Sequence, residues 1–130
     1  MIKDEHVQTA QGFLTKSDGY FAEGDVLQGS EKLWGAAAHA LTAVAQHRGW
    51  RYGNHNALRQ AALRLADEME DERIRLGLLV AEKFHANFYH DFMEDGELDV
   101  NRPDAQRFVE RMLAIADDGQ PEQSTNGIAE

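Results

Sequence analysis

An all-α fold, four to five helices packed as an up-and-down antiparallel bundle, follows from three observations on the sequence. Apolar residues recur at three- and four-residue spacing along most of the chain. The two prolines are Pro103 and Pro121, so nothing between residues 4 and 95 forbids long helices. β-branched residues are sparse and no period-two alternation occurs, which leaves strand signals nearly absent.

The elements follow in order. A first helix over about 4 to 23 places Val7, Ala10, Leu14 and Phe21 on one face, with Phe13 and Tyr20 beside it. Gly24 suits a position just past a helix end, and Asp25 suits an N-cap, with Gln28 three residues on as a capping-box-like partner. The turn is tight, so the first two helices should be antiparallel neighbours. The second helix, 26 to about 47, carries Val26, Leu27, Ser30, Trp34, Ala37, Leu41 and Val44 at the helical period. Its Gly35-Ala36-Ala37-Ala38 segment has little bulk and lets a neighbour approach closely. A break at 48–53 precedes Asn54, which can cap a third helix with Leu58, Ala61, Ala62, Leu65 and Met69 inward. One unbroken helix from 55 to 94 would be about 60 Å long at 1.5 Å per residue, too long for such a domain. A short turn is therefore expected near 68 to 72. A fourth helix then runs to about 94, with Ile74, Leu78, Ala81, Phe84, Phe88 and Phe92 inward, and Gly96 ends it. Pro103 opens a fifth helix, 103 to 117, carrying Phe108, Met112 and Ile115. Residues 1–117 are thus expected to form one bundle domain, and 118–130 a flexible polar tail.

Composition narrows the function. A chain of 130 residues, 42% apolar, fits one domain that folds without disulfide or metal. There is no cysteine, which excludes a disulfide scaffold, thiolate metal sites and a cysteine nucleophile. The opening Met1-Ile2-Lys3-Asp4-Glu5-His6 lacks the basic and apolar regions of a secretory leader. No apolar run approaches the roughly 20 residues of a membrane span, so no membrane association and a cytoplasmic location are the expectation. The net charge of −10 repels phosphate backbones at long range and disfavours sequence-independent nucleic-acid binding. The basic residues are unevenly spread, however: Arg48, Arg51, Arg59, Arg64, Arg73 and Arg75 fall in the middle third.

Four groups of residues carry candidate chemistry. Arg48 and His55, with six residues between them, flank a helix–helix loop. An imidazole near a guanidinium can do acid–base work on a phosphodiester or hold a phosphate, and Gly49 and Gly53 let backbone approach a ligand. Arg51 and Tyr52 of the same loop are the candidate ligand-binding residues. The plain alternative is a surface loop whose Arg and His pack or cap the third helix. Glu82 and His85 form one Glu-x-x-His pattern, with His90 and Asp91 nearby, but a di-iron bundle needs two such motifs and two further glutamates, so no metal and no cofactor are expected. Glu31 and Lys32 cannot face each other at adjacent positions, yet either can reach a neighbouring helix; Trp34 lies on the apolar stripe and His39 beyond it. Phe84, Phe88, Tyr89 and Phe92 form an aromatic stripe of the kind used as core or as a dimer face. A phosphate-cradling Gly-rich loop, a nucleophile elbow and His-Glu-x-x-His are all missing.

The stretch from Glu23 to Ala38, EGDVLQGSEKLWGAAA, resembles the PaREP-type family of archaeal and bacterial proteins, whose members read roughly G-D-x-x-Q-A-S-E-K-x-W-G-A-A-A. His55-Asn56-Ala57-Leu58 and His85-Ala86-Asn87-Phe88-Tyr89 match two further blocks of that family, in the same order. The family is identified with the HEPN (higher eukaryotes and prokaryotes nucleotide-binding) superfamily. The resemblance implies a helical bundle, often a homodimer. Superfamily members are either metal-independent ribonucleases with an Arg-x(4 to 6)-His motif, or partners of minimal nucleotidyltransferases. Arg48 and His55 match that motif at its upper spacing. They depart from it in the glycine after the arginine and in the position between second and third helices. The resemblance therefore implies, first, a non-enzymatic binding or regulatory module taking a nucleotide, an RNA or a nucleotidyltransferase-like partner, and second, a ribonuclease using Arg48 and His55.

Overall fold

Five helices account for the described part of the chain: α1 (Asp4–Ala22), α2 (Val26–Arg48), α3 (His55–Met69), α4 (Glu72–His90) and α5 (Asp95–Asp118). The structure is a computed structural model and describes residues 4–118. No strand occurs among these residues. The tail expected beyond the last helix lies outside them, except that Asp118 closes α5.

Helix α2 is the centre of the bundle. It contacts all four other helices, which follow one another around it in the order α1, α5, α4, α3. Its burial is accordingly broader than a single stripe. Leu33, Ala36, Ala40, Ala43 and Ala45 are fully enclosed together with Ala37, Leu41 and Val44. Alanine makes this possible, because neighbours can approach on several sides without bulk between the backbones. At Gly29 and Gly35 the approach is close: a Cβ at either would lie 2.8 Å from a ring of α1, Phe21 and Phe13 respectively. Ala10, Val7, Leu14 and Phe21 complete the inner face of α1. Ser17 is buried among them and donates to the Gly29 carbonyl at 2.9 Å.

The connections are short and capped. Asp25 accepts from the Gln28 amide at 3.2 Å, while its own amide bonds Tyr20 O, so the reciprocal half of a capping box is not made. Asn54 caps α3 through the Ala57 amide. The turn expected near 68 to 72 consists of two residues. Glu70 adopts the left-handed conformation, and Asp71 caps α4 through the Arg73 amide. Asp71 also pairs with Arg73 and, across the bundle, with Arg111 of α5 at 2.8 Å. Hydrogen bonds from Arg73 first, then Arg111, hold its carboxyl well below the usual carboxylate range.

The second half of the chain departs from expectation. α4 ends at His90, not near 94, and Gly96 lies inside α5. The cause is Asn87, fully buried, whose Oδ1 accepts from the Phe92 and Met93 amides at 2.8 Å each and turns the chain. Phe92 therefore leaves the helix and is 43% exposed, and Met93 takes the inward place. Pro103 does not open α5 but sits within it. It is exposed, so the Asp99 carbonyl that loses its helical donor can be hydrated instead. Met69, expected inward, is 39% exposed at the end of α3.

Candidate functional site

Three helices bring aromatic, basic and acidic side chains to one face. Trp34 of α2 is nearly buried and packs against two imidazoles that also touch each other. The His55 ring of α3 is 4.9 Å away at 30°, and the His85 ring of α4 is 5.3 Å away at 32°. The two imidazoles stand edge to face at 6.0 Å, and Tyr89, one turn beyond His85, packs edge-on against it at 5.3 Å. Each imidazole is fixed by a carboxylate from another helix. His55 Nε2 meets Glu82 Oε2 at 2.8 Å, and His85 Nδ1 meets Glu31 Oε1 at 3.1 Å. Glu82 also accepts from Arg59 Nε at 2.8 Å. A carboxylate on one ring nitrogen sets the orientation of the imidazole and the chemistry open to the other nitrogen.

Local sequence explains the convergence. His55 directly follows the Asn54 cap and so begins α3 at a fixed angle. Glu82 and His85 are three residues apart on α4, yet neither pairs with the other; Glu82 turns to α3 and His85 to α2. Beneath them, Asn87 Nδ2 donates to Ser30 Oγ at 3.1 Å inside the core, next to the Glu31–His85 pair. The face exposes an imidazole edge from each histidine, the Arg59 guanidinium and the Tyr89 ring, which is 66% exposed. Stacking surface and cationic donors together suit a planar ligand bearing an anionic group.

The residues singled out in the 48–55 loop divide among different surroundings. Arg48 bonds Glu68 of α3 at 2.6 Å and lies over Trp50, whereas His55 belongs to the Trp34 cluster; they share no partner. Arg51 lines a shallow groove of about 190 Å³ with Trp50, Asn54 and Arg64. Tyr52 turns toward the other side, where its hydroxyl accepts from Gln46 Nε2 at 3.2 Å and its ring approaches His6. His90 is exposed at the end of α4, and Asp91 forms the left-handed cap. Among the described residues, no group of three or more His, Asp or Glu side chains is arranged to hold a metal ion. Likewise no helix is long and apolar enough to cross a membrane.

A second histidine pair joins α1 to α2. His6 and His39 stack at 5.1 Å, with their Nδ1 atoms 2.9 Å apart. Burial, then repulsion from His6, lowers the readiness of His39 to take a proton. A histidine harder to protonate when folded than when unfolded adds stability above the ordinary imidazole range. That contribution begins to be lost at about pH 6.5 and goes on being lost as pH falls through the lower folded-state value. The melting temperature should therefore fall between about pH 7.5 and about pH 5.5, and fall less in His39→Gln. Equal slopes for both proteins would remove His39 as the cause.

Residues 5–109 match the archaeal PaREP1/PaREP8 family. No curated protein matches the chain. The fold is similar to the crystal structure of a protein from Sulfolobus solfataricus, with a TM-score of 0.73 over 82% of this chain and 95% of that one, at 17% identity.

Proposed function

The chain belongs to the archaeal PaREP1/PaREP8 family, and from that premise we propose that it is a HEPN-like binding or regulatory module. It takes a nucleotide on the face built by Trp34, His55 and His85, and acts as a homodimer or through a nucleotidyltransferase-like partner. The observation that carries this reading is the pair of imidazoles braced against one indole, each oriented by its own carboxylate. The Tyr89 ring supports it with an exposed stacking surface for a base, and Arg59 with donors for a phosphate. Glu31 and Glu82 oppose an anion there, so the ligand must draw on stacking as well as charge.

The ribonuclease reading, with Arg48 and His55 acting together, has less support. Arg48 is held by Glu68 and lies over Trp50, whereas His55 belongs to the Trp34 cluster, so joint action on one phosphate requires Arg48 to leave its partner.

Thermal shift tests both readings. A nucleotide at a hundredfold excess over its dissociation constant should add about 2.7 kcal/mol of stability, a rise of several degrees in melting temperature. His55→Ala should abolish the rise. If no nucleotide stabilises the wild type, the ligand reading fails and a protein partner becomes the leading alternative. Turnover of short RNA by the wild type, lost in His55→Ala, would move the assignment to the ribonuclease.

A further inference from the structure

On the opposite edge of α4, a cleft of about 300 Å³ opens between α4 and α5. Its lining includes Ile74, Gly77, Val80 and Phe108, with Arg73, Arg107 and Arg111 on the same cleft. The floor is built by a close approach. A Cβ at Gly77 would lie 2.7 Å from the Phe108 ring, so only glycine lets that ring lie against α4 here. The cleft volume is at the small end of ligand sites, which run about 300–1,000 Å³.

Charge adds to the apolar floor. On a chain of net charge −10, three guanidiniums meet there, balanced by Asp71 and Asp104. Arg73 uses Nε and Nη2 on Asp71, Arg111 uses Nη1 on the same carboxylate, and Arg107 uses Nη2 on Asp104. A guanidinium carries five N–H donors, so each keeps several for a further acceptor. The Arg107–Asp104 pair is exposed and spaced i, i+3, the kind of surface pair that opens at little cost. A positive rim on an apolar floor complements one class of molecule.

We infer that the α4–α5 cleft binds a small organic anion, an acid head on an apolar body, with the head on Arg107 and Arg111 and the body over Phe108 and Val80. This site is independent of the nucleotide reading, and neither depends on the other's outcome.

Calorimetry with decanoate, 1-decanol and inorganic phosphate tests it on the full chain. Decanoate should bind with one-to-one stoichiometry, shift the Gly77 and Val80 amide resonances, and lose about tenfold in affinity in Arg107→Gln, the loss of one charge-assisted contact. Asp104→Asn, which frees Arg107 from its partner, should bind decanoate more tightly. Arg107 is 68% exposed, so neither variant threatens the fold. Four results would overturn the assignment: no decanoate binding, equal binding of decanol, equal binding of phosphate, or affinity unchanged in Arg107→Gln. Capture by phosphatidylglycerol vesicles without binding of free decanoate would overturn it too, because the surface would then be reading a membrane.

Discussion

Asn87→Leu should destabilise the fold by about 3 kcal/mol, the sum expected when buried donors lose their partner. For a domain of this size that lowers the melting temperature by on the order of 10 °C. The Asn87 side chain is fully enclosed and makes three hydrogen bonds, donating to Ser30 Oγ and accepting from the Phe92 and Met93 amides. Leucine has similar bulk, so little cavity forms; what is lost is the partner of two backbone N–H groups, one of them buried. Ser30→Ala removes a single bond from the same network and should cost about 1 kcal/mol. Chemical denaturation of both variants decides the point. If Asn87→Leu costs no more than Ser30→Ala, water already satisfies the loop amides and the brace is not structural. The effect should reach the candidate site as well. Ser30 and Asn87 fasten the same two helices that carry Glu31 and His85, so slackening the buried bond slackens the exposed pair.

How far the sequence discloses this arrangement depends on the range of the interaction. Helix periodicity and caps are local, and they place α1, α2 and α3 to within a residue or so, down to the Asn54 cap and the break at 68–72. The end of α4 is set instead by a polar side chain that leaves the helical pattern to cap a loop. The phenylalanine period of 84, 88 and 92 conceals that event, which is why Phe92 reads as core and is exposed. Pro103 misleads for a related reason: it favours a first turn, yet an exposed helix face tolerates it further in. At the candidate site, the residue types are legible and the pairings are not. Glu82 and His85 at i, i+3 suggest a pair within one helix, and Arg48 and His55 suggest a pair across one loop. Each of the four instead takes its partner from a different helix. Glu31 carries a usable signal, since its neighbour Lys32 cannot face it and a third element must supply the partner. The His6–His39 contact spans 33 positions and leaves no local trace.

Trp34→Ala should both lower stability by roughly 3–5 kcal/mol, the usual loss for truncating a buried aromatic, and abolish nucleotide stabilisation. The stability loss alone says little, because any core truncation produces it. Trp34→Phe separates the two roles. Phenylalanine retains an aromatic surface under both imidazoles but covers less of them, so the stacking contribution of about 0.5–1.5 kcal/mol per ring pair is reduced rather than removed. The variant should stay folded, melt a few degrees below wild type, and bind the nucleotide measurably more weakly by calorimetry. Pairing it with His55→Ala and with His85→Ala then locates the coupling. If the indole acts by orienting both imidazoles, each double variant should lose less than the sum of its two singles, since removing one ring leaves the indole only the other to orient. Additive losses would mean that Trp34 and the histidines contact the ligand separately. Nucleotide affinity unchanged in Trp34→Phe and in both histidine variants would leave the cluster a structural brace and place any nucleotide elsewhere on the bundle.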